Sequence, residues 1–288
     1  MNNAETVLIT GASGFLGSHL ARACLKDGYL VVAYKRQNTD LWRLADVADR
    51  IQWFDTEELD VPFKKNKINH VVHTATSYGR KNEKASDLVS TNLLFPLKLY
   101  ELALNFHVDT FFNTDTVLYK YLNYYALSKN QFSQWLRQLV GTTKVINIQL
   151  EHFYGPGDDN SKFVSHIIDQ CINNVSEIKL TLGEQKRDFI YIDDAVDAYL
   201  CLLKNNKQLQ ESYNEVSLGS GEAITIKCLV NLIAKITRSK AKLLYGSLVY
   251  RENEVMESVA DIRTLKRLGW SPRFCLADGV KACVENRG

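Results

Sequence analysis

The sequence has no basic block, no aromatic-basic interleave, no paired-cysteine motif and no apolar run long enough to span a bilayer. Each absence removes a class of function. Lys and Arg number 35 against 33 Asp and Glu, a formal balance of +2, so a nucleic-acid partner finds no electrostatic footprint. Any anionic ligand must then be held by local groups. The six cysteines, at 24, 171, 201, 228, 275 and 283, form no C-x-x-C pair and have no histidine cluster nearby, which excludes a zinc site and a disulfide framework. No metal is expected, and the thiols read as reduced and mostly core. Met1 to Val7 runs straight into a β-rich segment, without the basic stretch and apolar core of an export leader. With no spanning run, this predicts a cytoplasmic protein with no membrane partner.

What is present is an ordinary globular composition, 45% hydrophobic and 24% charged over 288 residues, enough for a full core in one large domain with a smaller appendage. Val7 to Thr10 is an apolar run ended by glycines, after which Phe15, Leu16, His19, Leu20, Ala23 and Cys24 recur at helical spacing. Further β-rich runs at Leu30 to Tyr34, Ile51 to Phe54, His70 to Thr74, Thr110 to Asn113 and Val145 to Leu150 alternate with helical patterns over 41–47, 87–106 and 125–139. Alternating strands and helices predict an α/β fold, a doubly wound parallel Rossmann sheet over residues 1–154, with 188–218 returning to it. Asp109, Thr110 and their polar neighbours are taken to mark the crevice end of the fifth strand. After Gly155-Pro156-Gly157 the rhythm loosens, and residues 155–187 and 219–288 read as a smaller, discontinuous C-terminal substrate domain.

The turn Gly11-Ala12-Ser13-Gly14-Phe15-Leu16-Gly17 lies between the first strand and a helix, where glycines allow a tight turn, close approach to a pyrophosphate and close helix packing. The helix start adds unpaired N–H groups and a positive dipole end. This predicts a bound dinucleotide against Gly11, Ser13, Gly14, Phe15, Leu16 and Gly17. The second strand ends in Tyr34-Lys35-Arg36, with no acidic residue until Asp40. An NAD site places Asp or Glu there for the ribose hydroxyls, whereas a 2′-phosphate wants cations, so Lys35 and Arg36 predict NADPH.

Tyr125-Ala126-Leu127-Ser128-Lys129 sets a phenol and an ammonium four residues apart on one helix face, where the cation would lower the tyrosine pKa from about 10. The pair opens the helix that follows Asn113-Thr114-Asp115-Thr116. With the glycine turn, these residues resemble the extended short-chain dehydrogenase/reductase superfamily over essentially the whole chain. That resemblance implies a catalytic set of Tyr125, Lys129 and a hydroxyl at the end of the fifth strand. Thr114 fits by position, and Thr116 competes because the segment before the tyrosine is short; Tyr124 is the decoy beside Tyr125. It also implies that Tyr125, Lys129, Thr74 and Ala75 touch the cofactor.

Gly183-Glu184-Gln185-Lys186-Arg187-Asp188-Phe189-Ile190-Tyr191-Ile192-Asp193-Asp194 is close to a superfamily segment whose arginine reaches a nucleotide diphosphate. Arg187 takes that role by resemblance, with Asp193 as a helix cap. Arg251, ahead of Glu254, matches a second diphosphate arginine, the alternative being an ion pair between those two. Tyr78-Gly79-Arg80, Asn113 to Thr116, Leu150-Glu151-His152-Phe153-Tyr154-Gly155, Glu184 to Ile190 and Arg251 to Met256 are similar to the CDP-paratose and CDP-abequose synthases. Those enzymes make O-antigen 3,6-dideoxyhexoses by reducing a C4 ketone with NADPH. His152 either contacts the sugar or fills that wall. The implied function is NADPH-dependent reduction of a nucleoside-diphosphate 4-keto-6-deoxy- or 3,6-dideoxyhexose, on CDP or dTDP, by a protein for which a homodimer is allowed. The alternatives are a dTDP-4-dehydro-6-deoxyglucose reductase or a nucleotide-sugar epimerase holding NAD. A 4,6-dehydratase fits less well, because Thr114-Asp115 is followed by Thr116 and not by Glu.

Overall fold

The computed structural model describes residues 4–287. Strand β1 (Thr6–Thr10) is buried throughout, and α1 (Phe15–Lys26) buries Leu16, Leu20, Ala21, Cys24 and Leu25 at helical spacing. β2 (Leu30–Lys35), β3 (Ile51–Asp55), the short helix α2 (Val61–Lys65) and β4 (His70–His73) follow. The pattern over 41–47 yields only a 3-10 turn, Trp42–Leu44, in which Leu44 alone is buried. Over the whole segment only Leu44 and Val47 are buried, too few anchors to offset the cost of nucleating a helix. The 87–106 pattern divides into α3 (Ala85–Val89) and α4 (Phe95–Asn105), joined by a π-helical turn at Ser90–Leu94. Pro96 explains the wide turn, since its nitrogen has no hydrogen to give a carbonyl one turn back.

β5 (Thr110–Thr116), α5 (Tyr124–Gln138) and β6 (Lys144–Leu150) complete this stretch. Next come β7 (His152–Tyr154), α6 (Phe163–Ile172), β8 (Glu177–Lys179), β9 (Lys186–Tyr191), α7 (Ile192–Asn205) and β10 (Tyr213–Leu218). β11 (Ala223–Thr225), α8 (Ile226–Thr237), β12 (Lys242–Leu244), α9 (Arg263–Arg267) and α10 (Leu276–Glu285) end the chain. Among the described residues no helix is long and apolar enough to cross a membrane. The thiols are less uniformly internal than expected: Cys24, Cys171 and Cys283 are buried, while Cys228 and Cys275 are exposed.

Among the described residues two compact units form, one of residues 4–150 and 199–216, the other of 151–198 and 217–287. In the first, a seven-stranded sheet has the order β10-β6-β5-β4-β1-β2-β3, and the registers from β6 across to β3 are all parallel. Its core joins Leu8, Val32, Val71, Phe111 and Val145 of the strands to Leu99, Tyr100, Phe132 and Leu136 of α4 and α5. Because ligands of open α/β sheets sit beyond the carboxyl ends of the strands, Asp109 and Thr110 lie at the wrong end of β5, and Thr114 to Thr116 at the right one. In the second unit β11, β9 and β7 form one small sheet, and β12 pairs with β8 in another. Both β7 and β9 thus stand in the second unit, a different division from 155–187 and 219–288, because β7 pairs with β9.

Candidate active site

The glycine turn has the geometry of a phosphate cradle. Gly11 adopts φ +70°, and a Cβ there would meet Ala75 N at 2.7 Å. Gly14 N–H donates to Gly11 O at 2.9 Å, and Ser18 N–H to Gly14 O at 3.0 Å, so α1 begins at this turn with Gly14 as its cap. A helix start leaves its first N–H groups without intrahelical acceptors, which suits an anionic group. Thr74 and Ala75 are tied to the same place: Thr74 Oγ1 donates to Thr10 O at 2.7 Å and Ala75 N–H to Thr10 Oγ1 at 3.3 Å. At the end of β2, Lys35 Nζ lies 5.9 Å from the Trp53 ring centre, and Arg36 is exposed on a turn closed by Thr39. These residues fit a dinucleotide.

On α5, Asn123 caps the helix by accepting Ala126 N–H at 2.8 Å. Tyr124 is 64% exposed, whereas Tyr125 is half-buried, and the Thr116 side chain acts on its phenol in favour of the ionised form. Thr114 Oγ1 is instead engaged with the Tyr199 hydroxyl at 2.7 Å. Thr116, not Thr114, is therefore the threonine that bears on Tyr125. Lys129, one turn on, is only 2% exposed. The expected lowering of the tyrosine pKa is not what the structure gives. Burial raises it, with Tyr78 and Asp115 pushing the same way and the Thr116 side chain and Arg80 pushing back. Burial pulls Lys129 down to about 8, with Asp115 opposing.

Several neighbours of this group lie outside the predicted set. The Tyr78 ring packs 5.0 Å from Tyr125, and the Arg80 guanidinium lies 4.9 Å from the Tyr78 ring centre. Buried Asn92, in the π turn, donates to Ser77 O at 2.8 Å and to Ser128 Oγ at 3.0 Å, fixing the loop after β4 to α5. Asn147 Nδ2 donates to Asp115 at 2.9 Å and Asn113 Nδ2 to Asn147 Oδ1 at 2.6 Å. The available signal was polar residues two apart in strands that are buried on both faces.

In the second unit Arg187 is 8% exposed, and its guanidinium pairs with Glu254 and donates to Lys186 O at 2.7 Å. Glu254 is thus the partner of Arg187 rather than of Arg251, whose side chain is exposed. His152 Nδ1 stands 3.3 Å from Glu151, whose other oxygen accepts from Ser258 Oγ at 2.6 Å. Asp193 lies within the first turn of α7. Asp194 is the structural carboxylate there, accepting Arg273 N–H at 2.9 Å and Phe274 N–H at 3.0 Å. Fully buried Asp188 accepts the N–H groups of Ser220, Gly221 and Ala260 at 2.7, 2.9 and 3.2 Å. Asp188→Ala would orphan all three donors, so urea unfolding of this unit is expected to show a loss of about 3 kcal/mol. A loss under about 1 kcal/mol would deny Asp188 that role.

Comparison with known proteins places this geometry. The profile of the NAD dependent epimerase/dehydratase family matches residues 7–215. CDP-abequose synthase of Salmonella typhimurium is 34% identical over 98% of this chain and 98% of its own length. The dTDP-4-dehydro-6-deoxyglucose reductase of Escherichia coli is 25% identical, covering 97% of this chain and 96% of its own. Among solved structures, UDP-glucose 4-epimerase of Thermotoga maritima with UDP-glucose superposes with a TM-score of 0.83 at 22% identity, over 98% of each chain, a likeness of fold alone. The profile spans the glycine turn, the Tyr125 helix and the Arg187 segment together, and on that ground the chain belongs to the NAD-dependent epimerase/dehydratase family.

Proposed function

We propose that the protein reduces the C4 ketone of a nucleoside-diphosphate 4-keto-6-deoxy- or 3,6-dideoxyhexose with NADPH, the first candidate being a CDP-linked 3,6-dideoxy sugar. One observation carries the chemistry: half-buried Tyr125, on whose phenol the Thr116 side chain acts, stands one helical turn from the buried Lys129. The substrate class is supported by the 34% identity with CDP-abequose synthase along the whole chain. NADPH, when bound, supplies the hydride that reduces the carbonyl carbon. Thr116 orients the ketone oxygen, and Tyr125 gives that oxygen its proton. Burial keeps the phenol protonated, as a donor must be, and Lys129, one turn on, is assigned to stabilise the phenolate left behind. Arg187 and Arg251 serve the diphosphate, a task suited to a planar, permanently charged fork. His152 is assigned to the sugar side.

Lys35 and Arg36 support NADPH over NADH, because a 2′-phosphate gains charge-assisted bonds there and an acidic partner for the ribose is absent from the end of β2. A second reading, reduction of a dTDP-4-keto-6-deoxy sugar, is favoured by the 25% identity with the Escherichia coli reductase. One panel tests both: CDP- and dTDP-4-keto sugars with NADPH or NADH, read by absorbance loss, with product configuration assigned by NMR. UDP-glucose epimerisation with added NAD is the third arm. The expected result is turnover of the CDP sugar with NADPH, and a nicotinamide preference that drops about tenfold or more in the double variant Lys35→Ala/Arg36→Ala. No turnover of any 4-keto sugar, or a clear NADH preference, overturns the reading.

A further inference from the structure

Beside His152 in the second unit lies a buried carboxylate, Glu151, just before β7. It is 4% exposed, and its backbone N–H donates to Leu218 O at 2.9 Å. Both carboxylate oxygens are engaged: Oε1 accepts from Ser258 Oγ at 2.6 Å, and Oε2 stands 3.3 Å from His152 Nδ1. A carboxylate is tolerated at such depth only with partners of this kind. Ser258 is itself held, since its N–H donates to Lys186 O at 3.2 Å while Lys186 N–H donates to Met256 O at 2.8 Å. The segment 254–258 thus lies along the start of β9 and braces two groups at once: Glu254 pairs with Arg187, and Ser258 bonds Glu151.

A carboxylate oxygen accepts and cannot donate, so the Nδ1 that meets Glu151 carries the imidazole hydrogen and Nε2 is an acceptor. The ring is not sealed in the wall, because the His152 side chain is 33% exposed against 1% for Glu151. His152 is the register partner of Phe189, with ring centres 5.7 Å apart, and Arg187 lies two residues before Phe189 on the same face of β9. His152 and Arg187 are therefore diagonal neighbours on one face of the small sheet, within reach of one ligand. With a diphosphate at Arg187, the sugar carbon that bears it is C1, whose ring neighbours are C2 and the ring oxygen. The ring oxygen has no hydrogen to give, so an acceptor nitrogen selects the C2 hydroxyl. In a 3,6-dideoxy-4-ketohexose that is the one hydroxyl on the ring. We propose that His152 determines specificity by accepting the C2 hydroxyl at Nε2, and that Glu151, braced by Ser258, is the positioning residue that keeps the imidazole hydrogen on Nδ1. This rests on the proposed nucleotide-sugar substrate and on Arg187 serving its diphosphate.

Two measurements on the full chain test it. The first needs no ligand: NMR of 15N-labelled histidine at about pH 8.5, above the ordinary imidazole range, with the His152 ring signals identified by their loss in His152→Phe. The parent is expected to carry hydrogen on Nδ1. In Glu151→Gln the amide can turn its own N–H to the ring, and hydrogen is expected to move to Nε2. The second is calorimetric binding of CDP, CDP-6-deoxyglucose and its 2-deoxy analogue, with the dTDP-linked set run beside them. The parent should bind the C2-hydroxyl sugar about tenfold or more tighter than the 2-deoxy analogue. That gap should close to about twofold in His152→Phe and in Glu151→Gln, with the affinity for the free nucleoside diphosphate within about twofold of the parent. A parent ring with no hydrogen on Nδ1, an unchanged tautomer in Glu151→Gln, a kept C2 preference in either variant, or an equal loss for all three ligands overturns the proposal. Should Glu151→Gln not fold, the parent tautomer and the His152→Phe binding arm still decide. Neither measurement needs turnover, so inert 4-keto sugars would refute the proposed reaction and leave both readable.

Discussion

Tyr125→Phe is expected to slow reduction of the 4-keto nucleotide sugar roughly 10³-fold while Tyr124→Phe stays within about twofold of the parent. The two residues are neighbours on α5, but Tyr124 is exposed while Tyr125 is half-buried against Tyr78, with the Thr116 side chain acting on its phenol. Removing that one oxygen leaves the ring packing and the glycine cradle as they are, so NADPH affinity, followed by fluorescence titration, should be nearly unchanged. The two threonines divide in the same way. Thr116→Ala takes away the hydroxyl that acts on Tyr125 and should cost about 10²-fold in kcat. Thr114→Ala breaks the bond to Tyr199 instead, and should appear as about 1 kcal/mol of stability with the rate largely kept. Full activity in Tyr125→Phe, or a larger rate loss in Thr114→Ala than in Thr116→Ala, would refute these assignments.

Alternation of apolar runs and helical patterns was enough to read the parallel sheet, because strands buried on both faces and helices with one apolar face leave different periods. That signal fails where burial is slight. The 41–47 segment has apolar residues at helical spacing but buries only Leu44 and Val47, and the strands β7, β11 and β12 are three residues long, too short for any period. The glycine turn and the Tyr125/Lys129 spacing were legible because each is local in sequence. Which threonine meets Tyr125 was not, since a strand places residues two apart on one face and the choice depends on Tyr199, 85 residues away from Thr114. Burial was the other hidden quantity: spacing predicts that Lys129 lowers the tyrosine pKa, but desolvation acts on both groups and reverses the outcome for Tyr125. The same holds for Arg187, whose ion pair with Glu254 depends on a segment 67 residues on.

The glycine turn separates into two jobs that substitution can resolve. A Cβ on Gly17 would lie 2.2 Å from Gly11 O and 2.9 Å from Ala12 Cα, both backbone atoms that cannot rotate away, so Gly17→Ala must push α1 off β1. The expected cost is about 3 kcal/mol in urea unfolding, the upper range for overpacking, with dinucleotide binding lost as the cradle opens. Gly14 differs: its φ of −75° suits any residue, and the nearest atom to an added Cβ is Gly11 O at 3.1 Å. Gly14→Ala should therefore stay within about 1 kcal/mol of the parent in stability. Its methyl would nevertheless stand where the backbone approaches a pyrophosphate, so NADPH should bind about tenfold or more weakly. A stable Gly14→Ala that binds NADPH as tightly as the parent would place the phosphates elsewhere. A Gly17→Ala of parental stability would mean that α1 can move away from β1 at little cost, against the close packing in which its Leu20, Ala21 and Cys24 are almost completely buried.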